Sequence, residues 1–326
     1  MLVAVTGANG LVGANLVRML LEQGAEVRPI VYGDCTPLDG LGLEYVECDV
    51  LDPAAIRRAL AGADVVYHLA SVITLSARSH PYAETVNVNG ARNVAEACLE
   101  NGVARLVHCS SIHAFSPKPA DQPVNEGRPL CAADHPFPYD RSKAEGQRAV
   151  LEAVGRGLDA VVVHPTGIIG PFDFMPSRSG AGMLDVYHGR TPALVAGGFN
   201  WVDVRDVCHG AMAAAEKGRT GENYILSGHY LSLRALAEAI AAISGCRAPR
   251  FVVPMWLAGA VVPLAEVWSW ATGREARFTR FTLQTLVHHR EVSHAKAAQE
   301  LGYRPRPLEE TLRDTFGWFR EAGMLE

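Results

Sequence analysis

The eight residues Thr6-Gly7-Ala8-Asn9-Gly10-Leu11-Val12-Gly13 constrain this chain more than any others. They follow an apolar β-branched run, Leu2 to Val5, and open a helical pattern. Glycine at these three positions permits a tight turn and lets the backbone approach a pyrophosphate. The helix starting near Leu11 also presents free N–H groups and the positive end of its dipole to an anion. With 31 glycines in the chain, a ligand-free turn is the competing reading. Placement between a first strand and a first helix favours a dinucleotide, with Asn9, Leu11 and Val12 joining Gly7, Gly10 and Gly13 as binding candidates.

The rest of the first half fits that start. Strand-like runs at 2–6, 26–31, 43–47, 64–69, 104–109 and 159–164 alternate with helical stretches at 11–23, 54–61, 82–101 and 138–156. Such crossovers predict an α/β fold, a Rossmann-type doubly wound sheet of six parallel strands. After residue 165 Pro and Gly become frequent and helices at 203–217 and 232–244 dominate, which reads as a smaller, mostly helical substrate lobe. The expected division is 1–165 for nucleotide binding and 166–326 for substrate, with the chain crossing back to the first domain around 200–220.

Composition narrows the function. In 326 residues, 48% hydrophobic, a large core can form. A net charge of −5 without charge runs gives no footprint for nucleic acid, so a small-molecule substrate is expected. Seven cysteines with no CxxC predict neither disulfides nor a metal site, and the apolar first strand without a basic leader predicts the cytoplasm. Residues 251–271 approach the length of a membrane span, but Pro254, Pro263 and Glu266 interrupt them among Trp256, Trp268 and Trp270. They read as a buried or lid helix pair over a substrate cavity, with membrane-surface contact as the alternative and no stable span.

Candidate chemistry gathers at two places. Tyr139-Asp140-Arg141-Ser142-Lys143 places a phenol and an ammonium one helical turn apart on one face. A neighbouring cation favours the phenolate that a proton shuttle near neutral pH needs. Nine tyrosines and four lysines spread at random give about 0.1 such pairs, so the spacing is moderate evidence. Ser110 and Ser111 follow the fifth strand, where ligands of open α/β sheets bind, and a hydroxyl there can stabilise a growing oxyanion. A capping serine is the bland alternative, outweighed for Ser111 by the glycine loop and the Tyr-Lys pair. The end of strand two, Val31-Tyr32-Gly33-Asp34, faces the adenosine, with Asp34 either at a ribose or in a turn, and Asp49 either at the adenine or in solvent. His68, His108, His113, His164, His288 and His289 lack metal spacing and read as core or hydrogen-bonded side chains, although His113 could line the substrate pocket.

TGANGLVG at 6–13, HLAS at 68–71, NVNGARN at 87–93, HCSSIHAF at 108–115, YDRSK at 139–143, HPTGIIGP at 164–171, WVDVRDV at 201–207 and the tail at 293–319 together resemble an extended short-chain dehydrogenase/reductase, over nearly the whole chain. The resemblance implies NAD or NADP as cofactor, with the three glycines on the pyrophosphate, Tyr32 by the adenosine, and Asp49 and Val50 flanking the adenine. It places Leu69, Ala70, Ser71 and Ser110 along the cofactor's middle and His164, Pro165 and Thr166 past the nicotinamide, with Asn89 supporting the helix beside the site. Ser111 would orient the substrate oxygen, Tyr139 act as general acid or base, and Lys143 tune Tyr139 and hold the nicotinamide ribose, while Ile73 and His113 would face substrate with them. AGGFNWVD at 196–203 is similar to the dihydroflavonol reductase and 3β-hydroxysteroid dehydrogenase branch, and the Arg that sugar-nucleotide epimerases carry before this strand is missing. The expected activity is hydride transfer to or from a hydrophobic alcohol or ketone. Alternatives are a nucleotide-sugar epimerase or dehydratase, and a catalytically silent nucleotide-binding sensor or scaffold. The resemblance also implies a homodimer pairing through helices 82–101 and 138–156.

Overall fold

A computed structural model of the chain describes residues 1–74, 80–262, 279–287 and 290–325. Its centre is a parallel sheet built from β1 (Leu2–Thr6), β2 (Glu26–Val31), β3 (Val46–Glu47), β4 (Val65–His68), β5 (Arg105–Cys109), β6 (Ala160–Pro165) and a later strand, β10 (Asn223–Leu226), in the order β10-β6-β5-β4-β1-β2-β3. Alternation along each strand sends successive side chains to opposite faces. Val3 and Val5 of β1 thus join Val107, Val161 and Val163 under helices α1 (Leu11–Glu22) and α7 (Val204–Lys217). Ala4, Val66 and Leu106 pack the other way, under α2 (Pro53–Ala59), α4 (Ala91–Asn101) and α5 (Pro138–Val154). Each buried Val or Leu is worth about 1.5–3 kcal/mol against its exposed state, and that burial fixes the register of both layers.

The second half adds α6 (Arg178–Tyr187), α8 (Leu233–Ser244) and a C-terminal helix Leu308–Glu321, packed around Leu236, Phe316 and Phe319. Two small sheets accompany them: β7 (Gly167–Ile169), β9 (Gly198–Asp203) and β11 (His229–Ser232) in one, β8 (Ala193–Val195) and β12 (Phe251–Val253) in the other. No helix among the described residues is long and apolar enough to cross a membrane.

Four differences from the sequence reading have physical causes. The sheet has seven strands and not six, because β10 is contributed from beyond residue 165 and pairs in parallel with β6 through Asn223 and Val162. The third strand shrinks from 43–47 to Val46–Glu47, since Gly40 and Gly42 take left-handed φ values of 76° and 64° just before it. The helix expected over 82–101 carries a π-turn at Val86–Gly90, between Pro81–Thr85 and α4. Within 251–271, residues 251–253 form a strand and 255–262 are helical with Trp256 exposed, while the expected lid beyond 262 lies outside the described residues, as do His288 and His289.

Candidate active site

The glycine turn divides its three glycines by what each one serves. Gly7 has φ +68°, and a Cβ there would meet the Ala70 nitrogen at 2.7 Å, so the turn and the end of β4 require it. A Cβ on Gly13 would run into the Gly7 carbonyl and Ala8, so close packing of α1 requires that one. Gly10 differs: its backbone is extended, it is exposed at the N-cap of α1, and the nearest protein atom to a Cβ is the Gly7 oxygen at 3.4 Å. The protein's own packing does not demand glycine there, whereas a phosphate resting on the helix N-terminus would. Around the loop, the Asn9 amide donates to the carbonyls of Tyr32 and Asp34 at 3.0 and 2.8 Å, locking it to the end of β2. Asp34 accepts from the backbone and hydroxyl of Thr36, which lowers its pKa and makes it a turn residue. The exposed Tyr32 ring borders the same edge, Asp49 accepts from the Leu51 N–H, and buried Val50 packs where a Gly90 Cβ would stand.

At the ends of β4, β5 and β6 the second group assembles. Tyr139 enters on the first turn of α5 behind Pro138, whose missing N–H costs nothing at a helix start. The phenol is buried beside the Ser111 hydroxyl. Burial lifts its pKa above the ordinary tyrosine range, the Ser111 hydroxyl opposing, with Asp140 and Cys109 adding to the rise. Lys143 is also buried, and burial lowers its pKa. Its ammonium donates to the Cys109 carbonyl at 3.0 Å and the Ser71 hydroxyl at 3.3 Å. Both hydrogen bonds tie the amine to β5 and to Ser71, and neither involves the phenol.

Several candidates serve the scaffold. Ser110 donates to Gln147 at 3.0 Å, fastening β5 to α5, and Thr166 donates to Asn200 at 2.9 Å beside Pro165, the last residue of β6. His164 spends both ring nitrogens, on the Ser111 carbonyl and Asn223, each at 3.0 Å. Leu69 and Ala70 supply backbone along Thr6 and Gly7, and Ile73 stands exposed. Asn89 is exposed and does not support the helix; Asn87 does, through the Val72 backbone at 2.8 and 3.0 Å and the Ser142 hydroxyl at 3.0 Å. The π-turn rotates position 87 inward, and the repeated Asn-Val-Asn was the available signal. The sequence reading also missed that Cys131, His135 and Asp140 come together, with one ligand atom from each within 4.8 Å.

His68, His108 and His164 line the same strand ends as neutral imidazoles. Burial is the main cause, lowering His68 to about 3, His164 to about 4 and His108 well below the ordinary value. An unfolded chain protonates these rings below about pH 6.5, while the folded one resists until much lower pH, so the unfolded state binds more protons in between. Stability is thus fully present above pH 6.5 and is lost as pH falls toward 4. We expect thermal melts to show the midpoint dropping steadily between pH 6.5 and 4.5, and His164→Asn to flatten that slope; a midpoint constant across the window would contradict this.

The sequence profile of the NAD-dependent epimerase/dehydratase family matches residues 3–227. The chain belongs to that family. Sterol demethylase protein B of Methylococcus capsulatus is 33% identical over 98% of this chain and 99% of its own length. A ketoreductase of Stigmatella aurantiaca, named for 4-hydroxy-2-methyl-3-oxo-4-farnesyl-3,4-dihydroquinoline-1-oxide, is 29% identical over 98% of this chain and 96% of its own. The crystal structure of gox2253 superposes with a TM-score of 0.87 at 33% identity, covering 100% and 99% of the two chains. As a member of the epimerase/dehydratase family, the chain is an NAD(P)-dependent oxidoreductase of the extended short-chain dehydrogenase/reductase type.

Proposed function

We propose that the enzyme reduces or oxidises a hydrophobic ketone or secondary alcohol, with Tyr139 as proton donor or acceptor, Ser111 orienting the substrate oxygen and Lys143 holding the nicotinamide ribose. The observation that carries this reading is that the buried Tyr139 phenol lies beside the Ser111 hydroxyl at the end of β5, on the helix turn that carries Lys143. Ser111 Oγ accepts the His113 N–H at 3.2 Å, which leaves its own hydrogen to donate. Two of the three Lys143 hydrogens are committed, and the third remains for a ribose hydroxyl. The nicotinamide supplies or accepts the hydride. In the reducing direction Tyr139 gives its proton to the substrate oxygen as carbon receives the hydride; in the oxidising direction its oxygen takes that proton back.

NAD is the preferred form in this reading. Between Pro29 and Asp52 the chain has no Lys or Arg but carries Asp34, Asp39, Glu44, Glu47 and Asp49, which would repel a ribose phosphate. Phe137 and Phe281 beside Tyr139 favour an apolar substrate, in keeping with the sterol and farnesyl names of the two relatives. The same reading makes the enzyme a cytoplasmic homodimer joined through α4 and α5.

Protein-fluorescence titration with both reduced cofactors tests the first part, NADH binding at least about tenfold more tightly than NADPH. Absorbance of the reduced nicotinamide is then followed with a 3-keto steroid, a dihydroflavonol and UDP-glucose as probes. Net NADH consumption with an apolar ketone is expected. Conversion of the sugar nucleotide without net cofactor change would overturn the assignment in favour of epimerisation.

A further inference from the structure

Just before and within the first turn of α5, a carboxylate sits between two imidazoles. Asp140 is buried, with its oxygens 3.1 Å from His113 Nδ1 and 3.2 Å from His135 Nε2. Cys131 belongs to the same group, a donor set that zinc accepts. The group is closed without a cation, however: the Cys131 thiol donates to the Phe115 carbonyl at 3.4 Å, burial pushes its pKa up to about 12, and the carboxylate takes both histidines. The loop carrying it is fastened as well. Arg148 donates to the Cys131 carbonyl at 2.5 Å, and Arg141 donates to the His135 carbonyl at 3.0 Å while pairing with Glu84.

His113 is the member that reaches the reacting groups, and it does so through two different atoms. Its backbone N–H donates to Ser111 Oγ, and its ring meets the edge of the Tyr139 ring with centroids 5.7 Å apart. On the other side it meets Phe281 at 5.7 Å and lines a narrow cleft with Pro117, Phe137 and Gln284. Burying a carboxylate costs several kcal/mol unless its partners compensate, an expensive way to close a loop that apolar contacts could close. What an ionised Asp140 adds is an electrostatic hold on the Nδ1 edge of the His113 ring, 3.1 Å away, while its other oxygen is hydrogen-bonded to His135.

We propose that His113, pinned through Nδ1 by Asp140, is a positioning residue that holds the Tyr139 phenol toward Ser111. The inference rests on the catalytic reading of Tyr139 given above. Tyr139 is faced by Asp140 and Lys143 from its own helix, Cys109 from β5 and His113 from the turn Ile112–Ala114, while the helix Arg280–Thr285 contributes Phe281. Asp140 is faced by Tyr139, His113, His135 and Cys131.

The test is NMR of the full chain with 13C at tyrosine Cζ and NAD+ added, the Tyr139 resonance being assigned by its loss in Tyr139→Phe. His113→Gln removes the ring and keeps a polar side chain; Asp140→Asn removes the charge and keeps the shape. In both variants the Tyr139 resonance moves and broadens. In Asp140→Asn the phenol also begins to ionise about half a pH unit or more below the wild type, because a negative charge has left its side. His135→Gln, on the far side of Asp140, keeps the carboxylate charge, so it moves the resonance less and does not lower the phenol ionisation, and it decides the matter if either other variant fails to fold. A wild-type resonance and ionisation in the folded variants overturns the proposal. Full turnover in Tyr139→Phe would instead remove the catalytic reading and leave the NMR result standing.

Discussion

Replacing Tyr139 by Phe is expected to lower turnover 100-fold or more while the NADH dissociation constant stays within about threefold, since a positioned proton donor or acceptor contributes about 100- to 10,000-fold to rate. The change deletes one oxygen from a buried ring whose packing against Phe137 and Phe281 is retained. Lys143 keeps both of its hydrogen bonds, because neither involves the phenol. Stopped-flow hydride transfer and fluorescence titration of NADH separate the two quantities. Unchanged turnover would place the proton on another group.

Gly10→Ala is expected to leave the fold intact and weaken NADH binding tenfold or more, about 1.4 kcal/mol. The asymmetry among the glycines makes this a clean measurement. An alanine at residue 10 would have ordinary backbone angles, φ −81° and ψ 170°, and no contact nearer than 3.4 Å, so the melting temperature should shift little. Its methyl group instead projects where the pyrophosphate must approach the N–H groups of α1. Gly13→Ala is the control that behaves oppositely, since its Cβ meets the Gly7 carbonyl and the protein itself is strained. Wild-type NADH affinity in Gly10→Ala would mean the dinucleotide lies elsewhere.

Local signals in the sequence carried the architecture as far as they were periodic. The glycine turn, the alternating apolar strands and the helix opening at Pro138 stand at the positions their spacing predicts. β10 escaped because Asn223–Leu226 is four residues long and separated from its partner β6 by some sixty residues of unlike structure, so local pattern carries no record of the pairing. Asn87 escaped because a π-turn shifts the helical phase, turning inward a residue that regular spacing would not single out. The direction of the Lys143 ammonium was illegible for a different reason: a four-carbon side chain chooses among acceptors that meet only in three dimensions, here the Cys109 carbonyl and Ser71. The association of Asp140 with His113 is likewise tertiary, joining residues 27 positions apart in the chain.

β10 also has a consequence for how the molecule is made. Because the last rung of the nucleotide-binding layer is encoded after residue 220, a ribosome that has released the first 165 residues has produced an incomplete sheet whose outermost strand, β6, is apolar on both sides and still lacks its neighbour. An unpaired edge of that kind recruits other strands. Synthesis of the intervening fifty-odd residues is therefore an interval of exposure, and a fragment ending at residue 165 should collect in inclusion bodies, where one ending shortly after Leu226 at least carries its own edge.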